Sequence, residues 1–67
     1  MKFSEKLRQL RSEGGYTLKV VAEGIGIPIS TYSNYEQGIR EPSLDIVVRI
    51  CNFYGVSADF LLGREGD

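Results

Sequence analysis

The sequence predicts an all-α fold, a compact bundle of five short helices, on three observations. Apolar residues recur at three- and four-residue steps along most of the chain, the helical period. Thr17, Ser43 and Ser57 stand immediately before three of these runs, where a hydroxyl can accept from an amide of the first turn. Glycines at 14, 15, 38, 55 and 63 close runs, and glycine takes up the left-handed conformation of a helix end at little cost. No strand reads convincingly. Val20-Val21 and Ile46-Val47-Val48 are β-branched, but both sit inside helical periods behind good N-caps.

The first helix is expected over Phe3–Glu13, with Phe3, Leu7 and Leu10 on one face, ended by Gly14-Gly15. Thr17 opens a second, Leu18–Glu23, with Val21 and Ala22 inward. Gly24-Ile25-Gly26-Ile27 is expected to interrupt it as a tight turn. A third helix starts at Pro28 or its neighbour, where proline sacrifices no helical hydrogen bond, runs through Glu36 and stops at Gly38. After the loop Ile39-Arg40-Glu41-Pro42, Ser43 caps a fourth helix whose Ile46, Val47, Ile50, Phe53 and Tyr54 form one broad apolar face up to Gly55. Ser57 caps a fifth, Ala58–Leu62, stopped by Gly63. Residues 64–67 read as a frayed tail.

Composition bounds the function. With 67 residues, 42% of them apolar, the chain reads as one domain over 1–67 with a single core. No apolar run is long enough for a membrane span, and the start is followed by charges, not by a signal-peptide core, so the expected compartment is the cytoplasm. Histidine is absent, which removes the commonest general base and histidine zinc sites. The single cysteine, Cys51, excludes an internal disulfide and a Cys-x-x-Cys site; on the fourth helix it reads as a buried, inert thiol. Gly24-x-Gly26 lacks the third glycine and preceding strand of a dinucleotide loop. The chain is therefore not expected to be an enzyme, and no cofactor, metal or small-molecule site is evident. Net charge is −1, but residues 1–40 carry six basic and four acidic side chains, and residues 41–67 two basic and five acidic.

The informative stretch is about 17–37. Two helices joined by a short turn at a steep angle need a small residue where they cross, and Ala22 is that residue; the turn needs a left-handed residue, and Gly26 supplies it. Ile25, Ile27 and Tyr35 complete the wedge. This is helix-turn-helix geometry, which leaves one face of the later helix free for a major groove.

The chain resembles the phage repressor and Cro-like helix-turn-helix domains of the XRE group over nearly its whole length. Leu7-Arg8-Gln9-Leu10-Arg11 looks like the group's first-helix Leu-Arg-x-Leu-Arg. Thr17 through Ile27 is similar to its Thr-x-x-x-Leu-Ala-x-x-x-Gly-Ile, with Val21 for leucine. Ser30-Thr31-Tyr32-Ser33, Tyr35-Glu36-Gln37-Gly38, Arg40, Pro42 and Ser43 resemble its recognition helix and following loop, and Gly55-Val56-Ser57 with Phe60-Leu61-Leu62-Gly63 its ending. The departures are Leu18, Pro28, Ile29 and Ile39, where the group commonly has glutamine, serine or threonine, a polar base reader and lysine.

The resemblance implies a lambda-repressor-like fold and a sequence-specific, double-stranded-DNA-binding transcriptional regulator of repressor type, acting as a homodimer. Two recognition helices would then enter successive major grooves about 34 Å apart. Ile29, Ser30, Ser33, Asn34 and Gln37 form one helical stripe opposite Tyr32 and Tyr35 and are the expected base contacts: Asn34 or Gln37 to adenine, the serines to either base type or to phosphate, Ile29 to a thymine methyl. Thr17, Leu18, Lys19 and Arg40 are the expected DNA-backbone contacts, with Lys6 and Arg8 as outer candidates. In this group the arginine and glutamate matching Arg11 and Glu36 pair across the first and third helices, a structural element. Phe53, Tyr54 and Phe60 are candidate dimer anchors. The rival reading is a protein-interaction module on the same scaffold, with Leu18, Ile29, Ile39 and the tyrosines as an apolar patch; the low isoelectric point, about 5.3, speaks for it.

Overall fold

The computed structural model describes residues 2–63, and every regular element among them is a helix: α1 Phe3–Gly14, α2 Leu18–Ile25, α3 Ile29–Gln37, α4 Leu44–Tyr54 and α5 Ala58–Leu61. The capping chemistry sets these limits. The hydroxyls of Thr17, Ser43 and Ser57 accept from the amides of Val20, Ile46 and Phe60. At α1 the Lys2 amide donates to the Glu5 carboxylate, 2.9 Å. Gly15, Gly26, Gly38 and Gly55 end the first four helices in the left-handed region.

Three boundaries differ from expectation. Helix α1 runs one residue further, through Gly14, and α5 stops one short, at Leu61. The third difference has a physical reason. Helix α2 does not break at Gly24 but continues to Ile25, and only Gly26, at φ +89°, turns the chain. Gly24 is a helical residue that makes room for a ring: a Cβ there would lie 2.3 Å from Phe53 Cε1. Its signal is thus a contact 29 positions away, not a turn. The expected frayed tail, 64–67, lies outside the described residues.

The core gathers Leu7 of α1, Val21, Ala22 and Ile25 of α2, Tyr32 and Tyr35 of α3, Val47, Ile50 and Cys51 of α4, and Leu61 of α5. Helix α3 packs on α1 and α2, while α4 packs on α2 and α5 and α1 also meets α5. The ammonium of Lys6 donates to the Phe60 carbonyl, 2.6 Å, and lies 4.6 Å from the centre of the Phe60 ring, tying α1 to α5. No described helix is long and apolar enough to cross a membrane.

Candidate nucleic-acid interface

The α2–α3 unit is built around one carbonyl. Ala22 O accepts from both the Gly26 and the Ile27 amides, 2.8 and 3.0 Å, closing α2 before the chain swings into α3. The Ala22 methyl is fully buried. The turn is Gly26-Ile27-Pro28, with Pro28 extended at the N-cap of α3. The guanidinium of Arg49 adds a bond from α4, its Nη1 donating to the Ile25 carbonyl at 3.5 Å while Nη2 pairs with Asp45, 3.2 Å. The Asp45–Arg49 spacing, i to i+4, is visible in the sequence; its use at this turn is not.

Helix α3 is anchored by three inward residues, Tyr32, Tyr35 and Glu36. Arg11 grips the Glu36 carboxylate with two donors, Nε to Oε2 at 2.7 Å and Nη2 to Oε1 at 3.1 Å, and its Nη1 donates to the Tyr16 carbonyl, 3.2 Å. The side chain of Glu36 is 4% exposed and that of Arg11 25%. The Glu36 hydrogen bond, reinforced by its charge, holds the Arg11 guanidinium above its ordinary value against some desolvation. On the α4 side, the Tyr32 and Tyr54 hydroxyls lie 2.8 Å apart. Burial pushes the Tyr32 phenol far up, with hydrogen bonding to Tyr54 and Glu36 adding to it, and burial pushes Tyr54 up as well. The Cys51 thiol is buried and raised by desolvation.

The opposite face of α3 carries the sequence-derived stripe. Ile29, Ser30 and Gln37 are exposed; Ser33 and Asn34 are partly so. Gln37 Nε2 donates to Ser33 Oγ, 2.8 Å, across one helical turn. The Asn34 carbonyl takes the amides of Ile39 and Arg40 and so fixes where the loop leaves α3. The stripe bears no charge. Thr17, Lys19 and Arg40 are exposed, whereas the Leu18 side chain packs against the core, leaving its first-turn amide as the group with no acceptor inside the helix. Lys6 is engaged with α5.

The three aromatics expected as dimer anchors divide. Phe53 and Tyr54 are half-buried and occupied within the protomer, Phe53 against Gly24 and edge-on to Tyr16, centroids 5.1 Å apart, and Tyr54 through Tyr32. Phe60 is 37% exposed. Sequence reasoning passed over Leu44 and Val48, which stand outward one turn apart on α4.

Residues 7–61 match the family described as helix-turn-helix. The chain belongs to that family. This helix-turn-helix domain is 38% identical over 65 residues to the HTH-type transcriptional regulator ImmR of Bacillus subtilis, covering 97% of the domain and 51% of the relative. It is 44% identical over 54 residues to the cryptic phage CTXphi transcriptional repressor RstR of Vibrio cholerae, 81% of the domain and 49% of the relative. The domain thus spans about half the length of these curated relatives. Among solved structures, the N-terminal DNA binding domain of SinR from Bacillus subtilis superposes with a TM-score of 0.85 at 27% identity, covering 97% of this chain and 96% of that one. The expected fold class and family are those found.

Proposed function

We propose that this domain is the sequence-specific, duplex-DNA-binding part of a transcriptional regulator of repressor type. The observation that carries the reading is the two-sidedness of α3. Tyr32, Tyr35 and Glu36 hold one face down, while the other presents Ile29, Ser30, Ser33, Asn34 and Gln37, an uncharged stripe of donors, acceptors and one branched aliphatic side chain. That is the chemistry of a base edge, not of a phosphate. Other groups suit phosphate: the first-turn amides of α2 behind Thr17, exposed Lys19 in that turn, and exposed Arg40 in the loop after α3. The names of the relatives, a regulator and a repressor, support the reading over a protein-interaction module.

In this reading two copies bind together, since one domain with a single recognition helix makes few base contacts. On α4, on α5 and just after it, Leu44, Val48, Phe60 and Leu62 are exposed apolar groups available for pairing. Selection from a pool of randomised duplexes, followed by sequencing, tests the proposal. A consensus with two inverted half-sites about one helical turn apart is expected; an unenriched pool overturns it.

A further inference from the structure

The Tyr32–Tyr54 hydroxyl pair spans two helices that are not principal packing partners. Helix α3 rests on α1 and α2, and α4 on α2 and α5. Between α3 and α4 the structure provides a directional polar contact, 2.8 Å long, between a fully buried tyrosine on the recognition helix and a half-buried one near the end of α4. On the α1 side the two-donor clamp from Arg11 holds Glu36, one turn further along α3. Helix α3 is thus tied by side-chain hydrogen bonds on two flanks, and each tie leads to a different neighbouring helix.

From this we infer that Tyr54 is a positioning residue for the recognition helix: its bond to Tyr32 sets the roll of α3 about its own axis and thereby the aim of the Ser33, Asn34 and Gln37 side chains. The inference rests on the DNA-reading function proposed above. A helix with its side chains is about 10–12 Å across, so a roll of about 10° moves an atom on the far rim by about 1 Å. The useful range of a hydrogen bond to a base edge is narrower, about 2.7–3.2 Å between heavy atoms. Apolar packing alone resists such a roll weakly, because it has no preferred direction; a hydroxyl pair has one. Tyr54 therefore acts on sequence discrimination through Tyr32 without itself meeting DNA. Tyr32 also neighbours the Glu36 carboxylate, which supports its phenol.

The test uses the 67-residue chain with Tyr54→Phe, Tyr32→Phe and the double variant. Each is titrated, well below its melting temperature, with a duplex that the parent chain selects from a randomised pool and with a scrambled duplex. Tyr54→Phe is expected to weaken binding to the selected duplex about tenfold and to the scrambled duplex less than twofold. The double variant is expected to regain thermal stability, because no hydroxyl is left without a partner, but not discrimination, because the directional tie is still missing. A structural role alone would move the melting temperature and leave the ratio of the two affinities unchanged; that result overturns the inference. Amide NMR spectra of the free proteins decide the matter independently of DNA. Tyr54→Phe should shift the amides of Ser33, Asn34 and Gln37, and shifts confined to the surroundings of residues 32 and 54 overturn it. Failure of the DNA-binding reading itself shows elsewhere, as a parent chain with no preference among duplexes.

Discussion

Replacing Arg11 by methionine removes the two donors that hold the Glu36 carboxylate, a group with 4% of its side chain open to water. Stranding a buried charge in this way costs about 3–5 kcal/mol. The lower end applies here, about 3 kcal/mol, because a quarter of the Arg11 side chain is exposed and water can follow the shorter methionine toward Glu36. A chain of this length has about 3–10 kcal/mol of total stability at about 0.05–0.15 kcal/mol per residue, so the single change consumes much of it. Glu36→Leu alone should cost less, about 1–2 kcal/mol, because the long Arg11 side chain can turn its charge to solvent. Arg11→Met with Glu36→Leu leaves no buried charge and should fall within about 1 kcal/mol of the parent. The assay is urea unfolding followed by far-UV circular dichroism. With a slope of about 1 kcal/mol per molar, the Arg11→Met midpoint drops by about 3 M and the double variant recovers most of it. If the two single losses simply add, the side chains do not interact and α3 is held some other way.

Gly24→Ala sets helix propensity, a gain of about 1 kcal/mol, against the collision with the Phe53 ring, a cost of about 1–3 kcal/mol. A net loss of about 1 kcal/mol is expected in thermal melts, and the sign should reverse in a Phe53→Ala background, where the ring is gone. Alkaline pH should unfold the domain by a definite route. The folded state holds Tyr32 neutral far above its ordinary value through burial, so its stabilising contribution is complete below the unfolded pKa of about 10 and is lost as pH climbs above it. Tyr32→Phe should flatten the stability-against-pH curve above about pH 10, by about 1.4 kcal/mol per pH unit; an unchanged slope would mean that the phenol ionises freely in the folded protein.

The helices were legible because their signals are local. Thr17, Ser43 and Ser57 accept from their own first turns, and Gly26, Gly38 and Gly55 need only the left-handed conformation that they adopt. The inward Tyr32 and Tyr35 and the stripe opposite them on α3 followed from their spacing. What sequence reasoning missed depends on distant residues. Gly24 looked like a breaker because glycine usually is one, and its reason, Phe53, lies two helices later. Phe53 and Tyr54, expected as dimer anchors, also meet Tyr16, Gly24 and Tyr32 within the protomer, and Leu44 and Val48 stand outside. Glu36 is a charge at a core position, which no hydrophobic pattern foretells. Its pairing with Arg11 was implied by family resemblance, not by the residues themselves.

The most direct measurement is a fluorescence-anisotropy titration of a duplex selected by the chain, against a scrambled duplex, between about 50 and 200 mM salt. With Lys19 and Arg40 as the cationic contacts, we expect three to five phosphate contacts per copy, many from amides and hydroxyls; only the two cations displace counterions, so the log–log salt slope should be about −2 per copy. Arg40→Ala should weaken binding to both duplexes alike and flatten the slope by about 1, while Asn34→Ala should cost about 1–3 kcal/mol on the selected duplex and little on the scrambled one. Absence of duplex binding at about 50 mM salt, where phosphate contacts are strongest, or equal affinity for the two duplexes, would contradict the assignment of the α3 stripe as a reader of DNA sequence.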